Sequence, residues 1–138
     1  MIHAQNTKVV SLITPASVAT NATATATVSC VGFRYAEVTL HLATQTAANV
    51  DTTMTITEGD GTTFATHADL AMTTVAPDTS SAQVYKWFLD LRKRKKNLKI
   101  TYTPVGAARV AGATVNLSRP EQAPTTAALR GVTAQVVV

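Results

Sequence analysis

The sequence predicts an all-β fold: a single-domain β-sandwich or jelly roll of about eight antiparallel strands with extended N- and C-terminal arms. Three observations predict it. Apolar residues recur at every second position in one segment after another. Thr, Ala and Val fill 64 of the 138 positions while charged residues make up only 14%, which suits half-buried sheet better than a water-facing helical bundle. Turn residues interrupt the chain at short intervals, and no amphipathic helix longer than two turns fits between them. At 138 residues the chain fits one domain that can bury a core without disulfides or metal staples.

Residues 1–6 (MIHAQN) are polar and read as an N-terminal arm. Thr7 to Ile13 (TKVVSLI) is a first strand, closed by Thr14-Pro15 because proline removes a ladder donor. From Asn21, Ala22, Ala24, Ala26, Val28 and Cys30 alternate with Thr23, Thr25, Thr27 and Ser29, a strand with a thin apolar face and a hydroxyl face. Gly32 interrupts the pattern. It resumes over Phe33 to Ala43, with Ala36, Val38, Leu40 and Leu42 toward the core and Tyr35, Glu37, Thr39 and His41 away from it. Thr44 to Val50 is a polar loop. Thr52 to Glu58 alternates Met54 and Ile56 against threonines and closes in Glu58-Gly59-Asp60-Gly61, a tight-turn signal. Thr62 to Val75 alternates weakly, as two short strands or as one bent edge strand, and Ala76 to Ser81 is a loop.

The strongest signal lies in Gln83 to Thr103, QVYKWFLDLRKRKKNLKITYT. Tyr85, Trp87, Leu89 and Leu91 share one face, Leu98, Ile100 and Tyr102 share another, and six polar, mostly cationic residues separate them. This spacing predicts a β-hairpin with a basic tip. After Pro104 the chain turns over Val105 to Ala108, and Val110 to Leu117 forms the last strand. The sandwich then spans residues 7–118. Residues 119–138 contain Pro120, Pro124 and Gly131 and end in Val136-Val137-Val138; prolines so placed exclude a central strand, so an extended C-terminal arm is expected. An immunoglobulin-type sandwich would carry the same strands, but a single cysteine, Cys30, removes the Cys-Trp-Cys signature.

Charge is local. The net charge is +4, and six of the twelve basic residues are Arg92, Lys93, Arg94, Lys95, Lys96 and Lys99. The body without them is slightly acidic, so the basicity is a patch. No apolar run is long enough to span a bilayer, and the N-terminus lacks the pattern of a secretory signal, so a soluble chain made in a cytoplasm is expected. Nucleophilic catalysis needs a base beside its nucleophile, and His3, His41 and His67 are not brought together by spacing. The eight acidic residues are scattered, and Glu58 with Asp60 in a glycine turn falls short of a calcium loop. No catalytic site, no metal site and no cofactor are expected. Cys30, in an alternating strand, reads as a small buried hydrophobe.

The basic loop fits two kinds of partner. Cations on phosphates with Trp87, Phe88 or Tyr102 stacked on bases would make a single-stranded nucleic-acid-binding β-domain, using residues 92–96. Trp87 and Tyr102, however, share faces with aliphatic residues and fit the core, while a low-charge body favours a protein surface. Nucleic acid is therefore the secondary alternative. A carbohydrate-binding sandwich would need exposed rings, and the chain has only seven aromatics.

The alternating strand NATATATVSC, the segment DLRKRKKNLKITYTP and the tail LSRPEQAPTTAALRGVTAQVVV resemble the small head proteins of tailed bacteriophages, in particular their capsid cement (decoration) proteins. The resemblance implies a structural, non-enzymatic jelly roll on the outer surface of an icosahedral phage head, made in the host cytoplasm. Its partners would be the major capsid protein and further copies of itself, as a homodimer or homotrimer, with no membrane involved. The residues expected to contact the capsid are Arg92, Lys93, Arg94, Lys95 and Lys96 in the loop. Lys8, Arg119, Pro120, Arg130, Val136 and Val138 are expected to contact it from the arms.

Overall fold

The computed structural model describes residues 6–44, 52–72 and 82–120. Eight strands follow one another: β1 (Thr7–Val18), β2 (Ala24–Ser29), β3 (Phe33–Leu42), β4 (Thr52–Gly59), β5 (Phe64–Met72), β6 (Gln83–Asp90), β7 (Asn97–Pro104) and β8 (Arg109–Pro120). They form two antiparallel four-stranded sheets, one in the order β1-β8-β3-β6 and the other in the order β2-β7-β4-β5.

A single relation organises this order. The partner pairs Thr7↔Ser118, Ala24↔Tyr102, Tyr35↔Asp90 and Met54↔Met72 all lie symmetrically about Thr62–Thr63. The chain is thus one long antiparallel ribbon, folded back at the turn after Gly59 and wrapped so that successive paired segments fall alternately in the two sheets. That is the jelly roll. The turn holds because Gly59 lies against Thr63: a Cβ there would sit 2.0 Å from the Thr63 carbonyl oxygen.

Alternation builds the core. Val10, Val115, Val38 and Trp87 stand in one row across the first sheet, and Ala26, Ile100 and Ile56 in one row across the second. These inward faces meet in a cluster that includes Leu40, Met54, Tyr102 and Leu117, all almost fully buried. Removing such side chains from water is the main favourable term in the fold, at roughly 1.5–3 kcal/mol each.

The expected hairpin over Gln83 to Thr103 does not form. Its inward faces are as read from the sequence, with Trp87, Leu89, Leu91, Leu98, Ile100 and Tyr102 buried. But β6 pairs with β3, and β7 pairs with β2 and β4, so the two strands belong to opposite sheets. The reason is the number of inward faces to be covered. Paired side by side, β6 and β7 would put all these side chains on one sheet; in facing sheets they bury one another. The basic segment is a corner between sheets, and β4 and β5 form the sequence-adjacent hairpin.

Two prolines are accommodated differently from expectation. β1 does not stop at Thr14-Pro15 but runs on to Val18 through register shifts between Ser11 and Ile13 and between Ile13 and Ala16. It lies at the edge of its sheet, where a missing donor costs nothing. β8 continues past Ser118 to Pro120, which pairs with Phe33. β1 begins at Thr7, opposite Ser118, so β8 is itself an edge beyond that point. Lys8, Arg119 and Pro120 therefore lie in strands rather than in arms. Residues 1–5 and 121–138, including Arg130, Val136 and Val138, are outside the described residues, as is most of the loop before β6. β5 is an edge strand with a register shift opposite Thr55 to Thr57, which agrees with the weak alternation of its sequence.

Candidate docking site

Strand directions give the sandwich two distinct ends. At one end lie the start of β1, the β2–β3 turn, the β4–β5 turn, the basic corner after β6 and the end of β8. The row Thr7, Ser118, Tyr35, Asp90 crosses the first sheet there and leads into the basic loop. β1 therefore begins and β8 ends at the same end of the sandwich as Arg92 to Lys96.

Local chemistry shapes that loop. Leu91–Lys93 is a 3-10 turn with Asp90 as its N-cap: the Asp90 carboxylate accepts the Arg92 backbone N–H at 3.1 Å, and Arg94 N–H donates to the Leu91 carbonyl at 3.1 Å. The Arg92 guanidinium folds back onto Asp90, with Nε 2.9 Å from Oδ1 and Nη2 paired with Oδ2. This pairing holds the Asp90 carboxyl down at about 2 and raises the Arg92 pKa. Leu91 is buried and pins the turn to the core.

Glu58 anchors the other half. It follows Met54 and Ile56 in phase, stands in the inward row with Val28 and Leu98, and is only 4% exposed. Its Oε2 accepts the Lys95 backbone N–H at 3.2 Å, and its Oε1 lies 3.9 Å from Arg94 Nη1. Lys95 Nζ reaches Asp60 Oδ2 at 3.0 Å, which lowers the Asp60 pKa and raises that of Lys95. Across the corner, Cys30 N–H donates to the Lys96 carbonyl at 2.8 Å. Desolvation pushes the Cys30 thiol up to about 11, so it stays protonated and inert, as expected of a buried hydrophobe.

The five expected capsid-contact cations are thus brought together, but they are not equivalent. Arg92, Arg94 and Lys95 are held by Asp90, Glu58 and Asp60. Lys93 and Lys96 are exposed and hold no ion pair among the described residues; their fields add only slightly to lowering Asp90 and Asp60. Arg119, at φ +50°, places its guanidinium 5.4 Å from the centre of the Tyr35 ring, and Arg92 approaches the same ring at 5.8 Å. A cleft of about 540 Å³ opens between the β2–β3 turn and the basic loop, with Val31, Gly32, Arg34, Leu91, Arg92 and Lys96 among its lining residues.

The strand order, the two facing sheets and the nested pairing decide the fold. The fold is a jelly roll. Its solved likenesses include the T13 particle of IBDV, at a TM-score of 0.55 and 11% identity over 83% of this chain. Another is the VP2 subviral particle of infectious bursal disease virus, at a TM-score of 0.51 and 10% identity over 83% of this chain. The chain spans about a third of the length of those proteins, 31% and 32% respectively. The sequence matches no protein-family model and no curated protein.

No group of three or more His, Cys, Asp or Glu is placed to hold a metal ion among the described residues, and no described helix is long and apolar enough to cross a membrane. Glu37 is engaged by Lys86 and His41 faces outward. Four residues escaped the sequence reading. Glu58 was legible as inward-facing from its phase with Met54 and Ile56. Phe88, 76% exposed, was legible as outward-facing because it is out of phase with Trp87. Arg34 and Arg109 carried no such signal. Arg109, only 2% exposed at the opposite end of the sandwich, donates from Nε to the Ala43 carbonyl at 2.8 Å.

Proposed function

We propose that this chain is a structural virion protein that binds the outer surface of an icosahedral phage head and stabilises contacts between major capsid protein subunits. One observation carries it: the basic loop, the start of β1 and the end of β8 gather at one end of a jelly roll whose solved likenesses are virus particles. A single docking end with two outgoing chain segments suits attachment to a lattice, where the folded body supplies the contact and residues 1–5 and 121–138 extend it to neighbouring subunits. The chain resembles the decoration protein of the Bordetella short-tailed phage in its Thr/Ala strand, basic segment and tail.

The mechanism is mass action. A protein that binds the assembled, expanded lattice and not the free subunit stabilises the lattice by its own binding free energy, repeated over every copy. Self-association as a dimer or trimer would multiply attachment through effective concentration. The cations supply steering and register, and attachment should weaken as salt screens them.

The experiment is co-sedimentation of the purified protein with DNA-filled heads stripped of their surface proteins, at two salt concentrations, with naked DNA as the control. Saturable attachment to heads and not to DNA is expected. Attachment to DNA alone would assign the basic loop to single-stranded nucleic acid instead, and attachment to neither would remove the docking role.

A further inference from the structure

We infer that the cleft between the β2–β3 turn and the basic loop seats an acidic peptide segment, with Arg34 and Lys96 as the side chains that bind its carboxylates. This rests on the docking role proposed above and names the chemistry of the partner. The cations of this end fall into two sets. Arg92, Arg94 and Lys95 are engaged by carboxylates of the chain itself, so their charge is spent on shaping the loop. Arg34 enters the cleft from the start of β3 and Lys96 from the end of the loop; both are exposed and neither holds an ion pair among the described residues. Two cations without an ion pair among the described residues thus line one cavity of about 540 Å³ from two different segments.

The walls between them select a peptide. Val31, 62% exposed, and Leu91 give the cleft an apolar lining, and Gly32 has open space where a Cβ would stand. A nucleic-acid strand would ask for a ring free to stack on bases. The ring that lines this cleft, Phe33, is partly buried and packed against the core. A segment with spaced Asp or Glu residues and apolar neighbours meets cation, apolar wall and cation in turn.

The test measures binding of fluorescein-labelled hexaglutamate to the intact chain at low salt by fluorescence anisotropy, with inorganic phosphate and an oligothymidylate as competitors. The double variant Arg34→Gln/Lys96→Gln should weaken binding by about tenfold or more, as loss of two charge-assisted contacts implies. Val31→Glu, an exposed position, should weaken it by repulsion. Each single variant, Arg34→Gln or Lys96→Gln, should weaken binding severalfold, whereas Lys86→Gln, which removes the same single charge from the outer face of the first sheet, where the lysine pairs with Glu37, should leave binding within about twofold if the cleft rather than net charge is responsible. Equal losses in all variants, or displacement by phosphate or the oligonucleotide at matched charge, would overturn the inference. The same variants tested on stripped heads separate the two proposals. If hexaglutamate binding is lost and head attachment is kept, the cleft inference stands and docking through this loop falls; if hexaglutamate binding survives in the double variant, the cleft inference falls whatever the heads show.

Discussion

The Glu58 carboxylate accepts the backbone N–H of Lys95 at 3.2 Å across 37 residues of sequence, so a buried acid at the end of β4 holds the basic loop in place. The same carboxylate lies 3.9 Å from the guanidinium of Arg94, whose side chain is only 18% exposed. Removing Glu58 takes a carboxylate away from a half-buried cation and an amide at once. Glu58→Ala is expected to destabilise the domain by about 1–3 kcal/mol, and Glu58→Gln by less because the amide oxygen can still accept from Lys95. Urea denaturation of the two variants checks the order; equal stability of wild type and Glu58→Ala would remove the anchor.

The loop should resist acid. Pairing with Arg92 holds the Asp90 carboxyl at about 2, below the ordinary 3.8. Because the folded pKa is depressed, the contribution of this pair is complete above the ordinary carboxylate value and is lost as pH falls through about 2. An NMR titration of the Asp90 side-chain carbon should find its midpoint there, and Arg92→Gln should move that midpoint up toward 3.8. A midpoint near the ordinary value in the wild type would mean that the pair does not persist in solution.

Adjacent aromatics on β6 should behave oppositely. Trp87 is 7% exposed and Phe88 76% exposed, since successive side chains of a strand face opposite ways. Trp87→Ala is expected to cost about 3–5 kcal/mol of stability, while Phe88→Ala should stay within about 0.5 kcal/mol. Denaturant unfolding reads both. A large loss on removing Phe88 would show that its side of the sheet is covered.

Much of this was legible in the sequence. Period-two alternation correctly assigned the inward residues of β3, β4, β6 and β7 and most of those of β2, because burial on one face dictates side-chain type at alternate positions. Pairing was not legible, because alternation says which way Trp87 and Ile100 point but not whether their strands lie side by side or face to face. The relation that decides it is the mirror symmetry of partners about Thr62–Thr63, a long-range property written in no local window. At the candidate site, the sequence showed the run Arg92 to Lys96 but not its division into held and unheld cations. That division depends on Asp90, Glu58 and Asp60, two of which arrive from the β4–β5 turn.

The bend in β1 yields the last prediction. Gly112 on β8 lies under Pro15, such that a Cβ at Gly112 would stand 2.9 Å from the proline Cγ and 3.3 Å from its Cα. Pro15 sits in the edge strand beside the second register shift, where the bulge brings the ring over the neighbouring strand. Small side chains on β8, such as Ala111 and Ala113 beside Gly112, let the bent strand approach. Gly112→Ala should therefore cost about 1–3 kcal/mol by overpacking. The cost should be distinctly smaller in a Pro15→Ala background, where the clashing Cγ is gone and only the contact with the Cα and Cβ remains. A double-mutant cycle by urea denaturation measures that coupling. Simple additivity of the two substitutions would show that β1 relaxes away from β8 at no cost and that the close approach at Gly112 does not hold the edge strand in register.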